Sequence, residues 1–376
     1  MNILHIAPSV RIGGVGSLLA GLLPRLDRER FRCEVLAEAD PAGPGANRRA
    51  LEAAGIPVRP IPPRVGGLRE NLRAVDAALL AGSYDAVHLH LEEWSALYAF
   101  LARRRGVPAR IVHAHLAGVR LPFRFTARRL ARPAALALLR GFMRREATHR
   151  AACSDDAGRW LFGDAPFTML PNAVDTARFG FSADARRRTR AALGLGEAFT
   201  VGCAARFDQQ KNLPFLLALF AELRRREPDA LLLLAGDGEE GPALRAEAGR
   251  LGIAEAVRFL GAREDVPALL QAMDAFALPT RYEGFGIALL EAQAAGLPCF
   301  APDGAVPREA AVTGLLRLLP PGLSAAGWAG EILAAKGLPR RCRAEEVEAA
   351  GCGAETAARR LEALYERCRA ERGRGL

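Results

Sequence analysis

The stretch Arg281-Tyr-Glu-Gly-Phe-Gly-Ile-Ala-Leu-Leu-Glu-Ala-Gln-Ala-Ala-Gly-Leu-Pro298 is almost bare of polar side chains. From Gly284 onward only Glu291 and Gln293 are strongly polar. A helix that is apolar on nearly every face is a buried helix. A carboxylate is rare in such a place unless something pairs with it. Gly284 and Gly286 open the helix and let ligand atoms come close to its backbone. The first N–H groups of a helix have no intrahelical partner and, with the helix dipole, favour an anion. Glu283 stands just before that N-terminus and Glu291 lies two turns inside. The segment is thus an anion cradle with an acid at either end. It suits a nucleotide-sugar, with phosphates on the N–H groups and hydroxyls on the carboxylates. The alternative is a core helix whose Glu291 is tied to a buried arginine.

Outward from this helix the chain alternates strands and helices. Ile3 to Ala7 is a short apolar strand, followed by the loop Arg11-Ile-Gly-Gly-Val-Gly16 and a helix from Ser17 to about Leu26. Strand, glycine loop and helix open a doubly wound α/β domain. The glycine spacing is not the dinucleotide fingerprint. Strands are expected at 58–61, 85–90, 109–115, 149–154 and 167–170, with helices at 68–80, 94–105 and 156–162. Residues 181–197 are polar and arginine-rich and end in Gly194 and Gly196, which places a domain boundary there. The pattern restarts with strands at 199–204, 230–235, 257–260, 275–278 and 298–301. Helices at 213–226, 243–251 and 266–273 separate the first four of these, and the opening helix precedes the last. An amphipathic helix over Glu355–Cys368 closes the chain. Strands separated by helices make a parallel sheet, and ligands sit at the carboxyl ends of its strands. The expected domains are 1–180, 181–354 and the final helix, 355–376.

Composition narrows the partners. The chain has 376 residues, half hydrophobic and a quarter charged, with a net charge of +10. That profile is globular and roughly two domains long. The seven cysteines are scattered without a C-x-x-C, as expected of free thiols in a reducing cytosol. No signal peptide or apolar run near the ~20 residues of a membrane span is visible. The positive charge admits phosphorylated ligands, anionic lipid or nucleic acid. Arginine dominates, and the only lysines are Lys211 and Lys336. Residues 120–150 hold nine arginines against the single acid Glu146, interleaved with leucine and phenylalanine. Such a basic, apolar segment can lie on an anionic membrane, or it is an ordinary surface helix. It is too poor in polar hydrogen-bonding residues for nucleic acid.

Two phosphates need cations as well as N–H groups. Arg206 and Lys211 lie on the loop after the first strand of the second domain, and a compact ammonium is a usual phosphate partner. All six histidines fall in the first domain; His88 and His90 share one face of a strand, as do His113 and His115. With Glu92 and Glu93 nearby they read either as a metal site or as a source of one sugar-facing imidazole.

Tyr282-Glu-Gly-Phe-Gly-Ile-Ala-Leu-Leu-Glu291 resembles the paired-glutamate motif of retaining glycosyltransferases of family 4, which have the GT-B fold. Ala205-Arg-Phe-Asp-Gln-Gln-Lys-Asn212 resembles their diphosphate loop. Leu234-Ala-Gly-Asp-Gly-Glu239 and Phe259-Leu-Gly-Ala-Arg-Glu-Asp-Val-Pro267 are similar to further family segments. So are Gly13-Gly14, Val112-His-Ala-His115, the run from Ala152 to Gly163, and Pro171-Asn-Ala-Val-Asp175. The last of these, with Gln293-Ala-Ala-Gly-Leu-Pro298, look most like the branch that builds bacterial exopolysaccharide and capsule.

The resemblance implies two doubly wound Rossmann-like domains facing a cleft, with the final helix crossing back to the first. It implies that Arg206 and Lys211 bind the donor diphosphate and stabilise the leaving group. Glu283 and the backbone of Gly284, Phe285, Gly286 and Ile287 would meet donor sugar and phosphate. Glu291 would take the ribose hydroxyls, with Arg263 also on the donor side and Gly14 near the phosphate from the first domain. His115, with His113 second, would stand near the reacting sugar. The catalytic set so implied is His115, Glu283, Arg206 and Lys211, with no metal and no cofactor. Leu116 and Ala173 depart from the family pattern, and the first of these bears on His115. The expected activity is retaining transfer from a UDP-sugar to a growing cell-surface glycan, polyprenyl-linked, by a cytoplasmic enzyme peripheral to the inner membrane face. A non-catalytic nucleotide-sugar-binding subunit, or another GT-B enzyme such as a nucleotide-sugar epimerase, is the alternative.

Overall fold

The computed structural model describes residues 1–10, 13–40, 43–118 and 137–373. The chain divides into two compact units: Met1–Ala173 together with Ala354–Leu376, and Val174–Gly353.

The first unit holds β1 (Asn2–Ala7), β2 (Arg32–Glu38), β3 (Val58–Ile61), β4 (Ala86–Leu89), β5 (Ala109–Ala114), β6 (His149–Ala152) and β7 (Thr168–Met169). They form one parallel sheet in the order β3-β2-β1-β4-β5-β6-β7. β2 was not expected from the sequence, because Arg32, Glu34 and Glu38 interrupt its apolar pattern. The acids are taken up by Arg59 and Arg64, which pair with Glu34 and Glu38. The final helix runs Ala354–Gly373, longer than expected, and belongs to this unit. Its Tyr365 is fully buried. Its acids reach Arg25, the Asp27 backbone and Arg30 at 2.6–2.8 Å.

The second unit holds β8 (Thr200–Ala204), β9 (Leu231–Ala235), β10 (Val257–Gly261), β11 (Ala275–Ala277), β12 (Cys299–Pro302) and β13 (Leu316–Leu319). Their order is β10-β9-β8-β11-β12-β13, again all parallel. Helices on both faces bury such strands, so β9 reads as Leu-Leu-Leu-Leu-Ala. β13 and the helices Ala325–Leu333 and Ala344–Ala349 are additions to the expected elements.

The division between units falls between Ala173 and Val174, ahead of the expected boundary at 180/181. Residues 181–197 are not a bare linker. Ser182 caps a helix, Ala183–Ala192, by accepting from Ala185 N–H at 3.2 Å. Arg190 is buried and donates to the Gly196, Ala198 and Ala272 carbonyls at 2.8 Å each, while Arg186 pairs with Asp274. The arginines that suggested a solvated linker thus satisfy carbonyls and a carboxylate of the second unit.

Of the basic segment 120–150, residues 119–136 lie outside the described residues. Residues 137–146 are helical. Met143 is buried, Arg140 lies 4.8 Å over the Trp160 ring, and Glu146 is buried against Arg103 at 2.6 Å. Leu138 is exposed.

Candidate active site

In the second unit the strand order reverses between β8 and β11, the crevice position where open α/β sheets take ligands. The loops leaving these neighbours are tied together. Gln210 Nε2 donates to the Tyr282 carbonyl at 2.8 Å, and Arg281 N–H to the Gln210 carbonyl at 2.8 Å. Thr280 Oγ1 donates to the same Gln210 carbonyl at 3.0 Å. This tie brings Lys211 Nζ to 2.6 Å from Glu283 Oε1, with the side chains only 14% and 6% exposed.

Arg206 sits on the same loop but is half-exposed, 3.2 Å from Asp208. The loop after β9 presses against it: Ala205 and Phe207 N–H donate to the Ala235 and Asp237 carbonyls at 2.9 Å. Gly236 has φ of +146°, and a Cβ there would fall 1.8 Å from the Ala205 carbonyl oxygen. Only glycine permits that approach. Glu240, which sequence reading did not single out, lies beside this loop. Burial first, and then the charge of Asp208, push its carboxyl up. The signal was adjacent, in the Gly236-Asp-Gly-Glu239 run.

The opening helix runs Ile287–Ala294 from Gly286, whose φ of +84° turns the chain into it. Gly284 and Phe285 are buried. The helical ladder begins with Leu289 N–H donating to the Gly286 carbonyl at 2.9 Å, so the N–H groups ahead of it are not used within the helix. Its two polar residues differ in kind. Gln293 is fully buried and donates to the Ala310 carbonyl at 2.8 Å; its oxygen accepts from Thr313 N–H and Oγ1 at 3.1 Å. Glu291 lies on the half-buried face with Ile287 and Ala288, and its carboxylate has no hydrogen bond or ion pair among the described residues. Burial pushes its carboxyl up to about 7, opposed by the charge of Arg178. The salt bridge to a buried arginine weighed for Glu291 is therefore not formed. Arg263 follows β10 at the sheet edge and is bound bidentately by Asp265 at 2.6 and 2.7 Å. Among the described residues no hydrogen bond or ion pair joins it to the Lys211–Glu283 pair.

In the first unit, Gly14 begins the helix Gly14–Leu22, with no side-chain cap ahead of it. His115 follows β5, and its N–H donates to Glu92 Oε1 at 2.9 Å. His5, His88, His90, His113 and His115 are all buried on one face of the sheet with Tyr365. Burial lowers each imidazole, His115 to about 4 and His5 to about 3, so all five are neutral near pH 7. Two triads, His5/His88/His90 and His90/His113/His115, bring ring nitrogens within 4.8 Å of one another. Within the triads His5 Nδ1 meets His90 Nε2 at 3.1 Å and His90 Nδ1 meets His115 Nε2 at 2.8 Å, while His88 and His113 bond each other at 3.3 Å. Glu92 spends Oε1 on backbone and not on an imidazole.

Residues 185–336 match the family model of glycosyl transferases group 1, and residues 13–173 that of the glycosyl transferase 4-like domain. EpsF of Bacillus subtilis (strain 168), named as a glycosyltransferase, is 31% identical over 354 residues, 90% of this chain and 89% of EpsF. A GDP-mannose-dependent alpha-(1-6)-phosphatidylinositol monomannoside mannosyltransferase of Mycolicibacterium smegmatis is 40% identical over 146 residues, 36% of this chain and 38% of that enzyme. Among solved structures, Anabaena HepE in complex with UDP and glucose is similar with a TM-score of 0.76 at 23% identity, over 97% of this chain and 99% of HepE. Sucrose-phosphate synthase from Thermosynechococcus elongatus is similar with a TM-score of 0.77 at 20% identity, over 99% of this chain and all of that one. At these identities the two structural likenesses speak for the fold.

Proposed function

Because this chain belongs to the family 4 glycosyltransferases, sugar-transferring enzymes of GT-B fold, we propose that it moves a sugar from a UDP-sugar to a growing exopolysaccharide, capsule or similar glycan, with retention of configuration. The observation that carries the donor side is the Lys211–Glu283 pair at the β8/β11 switch point, beside a helix whose Glu291 carboxyl has no hydrogen bond or ion pair among the described residues. Lys211 and Arg206 would neutralise the diphosphate and the charge that grows on the leaving nucleoside diphosphate. The N–H groups ahead of Leu289 add to this without any metal. Glu283 would accept from a sugar hydroxyl once phosphate draws Lys211 away. Glu291 would accept from the ribose hydroxyls. His115 is the first unit's candidate for the reacting sugar, as the family resemblance implies. Catalysis of this kind is mainly positioning and electrostatics.

A polyprenyl-linked acceptor would place the enzyme at the inner face of the cell membrane. Among the described residues no helix is long and apolar enough to cross a membrane, so that association would be peripheral. HepE was crystallised with UDP, whereas the Mycolicibacterium relative is named for GDP-mannose, so the base must be tested. Thermal stabilisation by UDP, GDP, ADP and their sugars is the experiment. Stabilisation by UDP species, slow hydrolysis of the matching sugar and release of the α-anomer from an α-donor support the proposal. Stabilisation by GDP species alone overturns the UDP assignment. Binding without hydrolysis or transfer to any glycan primer favours a non-catalytic subunit.

A further inference from the structure

Among the described residues two that are not glycine have a left-handed backbone: Asn212, with φ of +52°, and Glu92, with φ of +50°. They stand at matching places. Asn212 ends the loop after β8, next to Lys211, at the second unit's switch point. Glu92 follows β4, and the first sheet reverses its strand order between β1 and β4. Asparagine enters this conformation with local help from its short polar group, whereas glutamate does so rarely. Glycine is the residue that the turn at 92 favours. A strained residue persists only where its surroundings hold it, and such residues cluster at ligand sites.

The Glu92 side chain supplies what glycine cannot, a bond to the next strand. The β4–β5 ladder ends with Leu89 paired to Val112. Beyond it the chain leaves β4 through the short helix Glu92–Trp94 and the helix Ser95–Arg104, with Trp94 N–H returning to the Leu91 carbonyl at 3.1 Å. The Glu92 carboxyl reaches across to the residue that follows β5 and accepts from His115 N–H at 2.9 Å. A side chain thus takes over where the ladder has stopped. The same segment holds the ring: His90 Nδ1 lies 2.8 Å from His115 Nε2, with ring centroids 5.1 Å apart. His115 is gripped at its backbone by Glu92 and at its imidazole by His90.

We infer that Glu92 is a positioning residue: by gripping the His115 backbone it fixes how the chain leaves β5, and so where the His115 imidazole stands for the reacting sugar. The grip concerns the chain alone; its consequence for transfer rests on the proposed role of His115.

Three replacements in the full-length protein test this. Glu92→Gln keeps a carbonyl oxygen for His115 N–H and keeps the strained backbone. Glu92→Ala keeps the strain without the oxygen, and Glu92→Gly removes both. Amide hydrogen exchange reads the grip. His115 N–H should be protected in the parent and in Glu92→Gln, and should lose about tenfold in protection in the other two, while the ladder amides of β5 keep theirs. A His115 amide that exchanges freely in the parent, or equally in every variant, overturns the grip.

Turnover reads the consequence, as hydrolysis of the nucleotide-sugar that most raises the parent's melting temperature. In Glu92→Ala and Glu92→Gly, kcat should fall on the order of 10²-fold with the donor KM little changed, and in Glu92→Gln it should stay near the parent. Glu92→Gly should melt above Glu92→Ala yet share its loss of kcat. Recovery of kcat together with melting temperature in Glu92→Gly would make Glu92 a brace for the fold and overturn the inference. A fall in kcat in Glu92→Gln with the His115 amide still protected also overturns it, because charge and not position would then matter. If Glu92 acts through His115, adding Glu92→Ala to His115→Ala should cost nothing further in kcat, and an independent further loss refutes that route. A lost grip with unchanged kcat overturns the positioning role if His115→Ala is itself slow, and overturns the reading of His115 if it is not.

Discussion

Replacing Glu291 by glutamine separates a ligand-binding carboxylate from one that holds the fold. Glu291 is half-buried, its side chain has no hydrogen bond or ion pair among the described residues, and its carboxyl is pushed by burial from 4.5 up to about 7. At about 1.4 kcal/mol per pH unit this amounts to about 3 kcal/mol in favour of the protonated form in the folded chain. Between 4.5 and about 7 the folded chain keeps a proton that the unfolded chain has lost. The slope of stability with pH is set by protons bound unfolded minus folded, which is negative here. The contribution is therefore intact below 4.5, declines through that window, and is lower by about 3 kcal/mol above about 7. Glutamine is neutral throughout and removes the decline. Glu291→Gln should melt higher than the parent at pH 8 and like the parent near pH 4.5. Donor binding should move the other way. A ribose hydroxyl makes a charge-assisted bond to a carboxylate and a neutral one, roughly half as strong, to an amide, so UDP affinity should fall by about 1–2 kcal/mol. UDP should also draw Glu291 into its ionised form. Calorimetry at pH 6 in buffers of different ionisation enthalpy should then show proton release for the parent and none for the variant. A variant that melts lower than the parent at pH 8, yet binds UDP equally well where it is folded, would refute this reasoning and make Glu291 a structural acid.

Lys211→Ala breaks a 2.6 Å pair and leaves Glu283, only 6% exposed, without its cation, so it should cost about 3–5 kcal/mol of stability as well as about 2–5 kcal/mol of UDP affinity. Arg206 is 49% exposed, so Arg206→Ala should weaken UDP binding while leaving stability within about 0.5 kcal/mol. Calorimetry that finds UDP affinity unchanged in both removes these residues from the diphosphate site. Gly236→Ala forces a Cβ to 1.8 Å from the Ala205 carbonyl at a φ of +146°, so it should lower the melting temperature and loosen the loop that carries Arg206. An unaltered melting curve would show that this approach is not constrained. The segment 120–150 should co-sediment the protein with anionic liposomes at low salt and less so at high salt. Equal, negligible binding to anionic and neutral vesicles ends that idea.

What could be read from the sequence follows where each side chain finds its partners. β9 was legible because a strand buried on both faces is an uninterrupted apolar run. β2 was not, because its glutamates are neutralised by Arg59 and Arg64 from other segments, and that information is tertiary. Residues 181–197 misled for the same reason: Arg190 looks solvated until the Gly196, Ala198 and Ala272 carbonyls close around it. In the candidate site, Lys211 and Glu283 were each legible as residues just past a strand. Their pairing depends on β8 and β11 being neighbours, which strand order alone decides. The histidines at 88/90 and 113/115 announced a shared face through their spacing. His5 joined them only through its register with His88, and Tyr365 only through the return of the last helix to the first unit.

The opening stretch shows the same limit within eight residues of helix. Glu291 and Gln293 look alike in sequence: one polar group each on an otherwise apolar helix. Two residues apart on a helix, they cannot share a face. The turn around Ala310–Thr313, which has no strong signal of its own, reaches back over one face only and uses the Gln293 oxygen and amide. Gln293 therefore closes the core. The other face keeps Ile287, Ala288 and Glu291 half-open, and there a carboxyl displaced to about 7 feels the charge of Arg178 but forms no hydrogen bond or ion pair among the described residues. A buried acid that no protein group satisfies is destabilising when ionised, and it persists where a ligand supplies the missing donors. On that argument the stability lost above about pH 7 and the affinity for ribose hydroxyls come from the same carboxylate, so a substitution that restores the first must weaken the second.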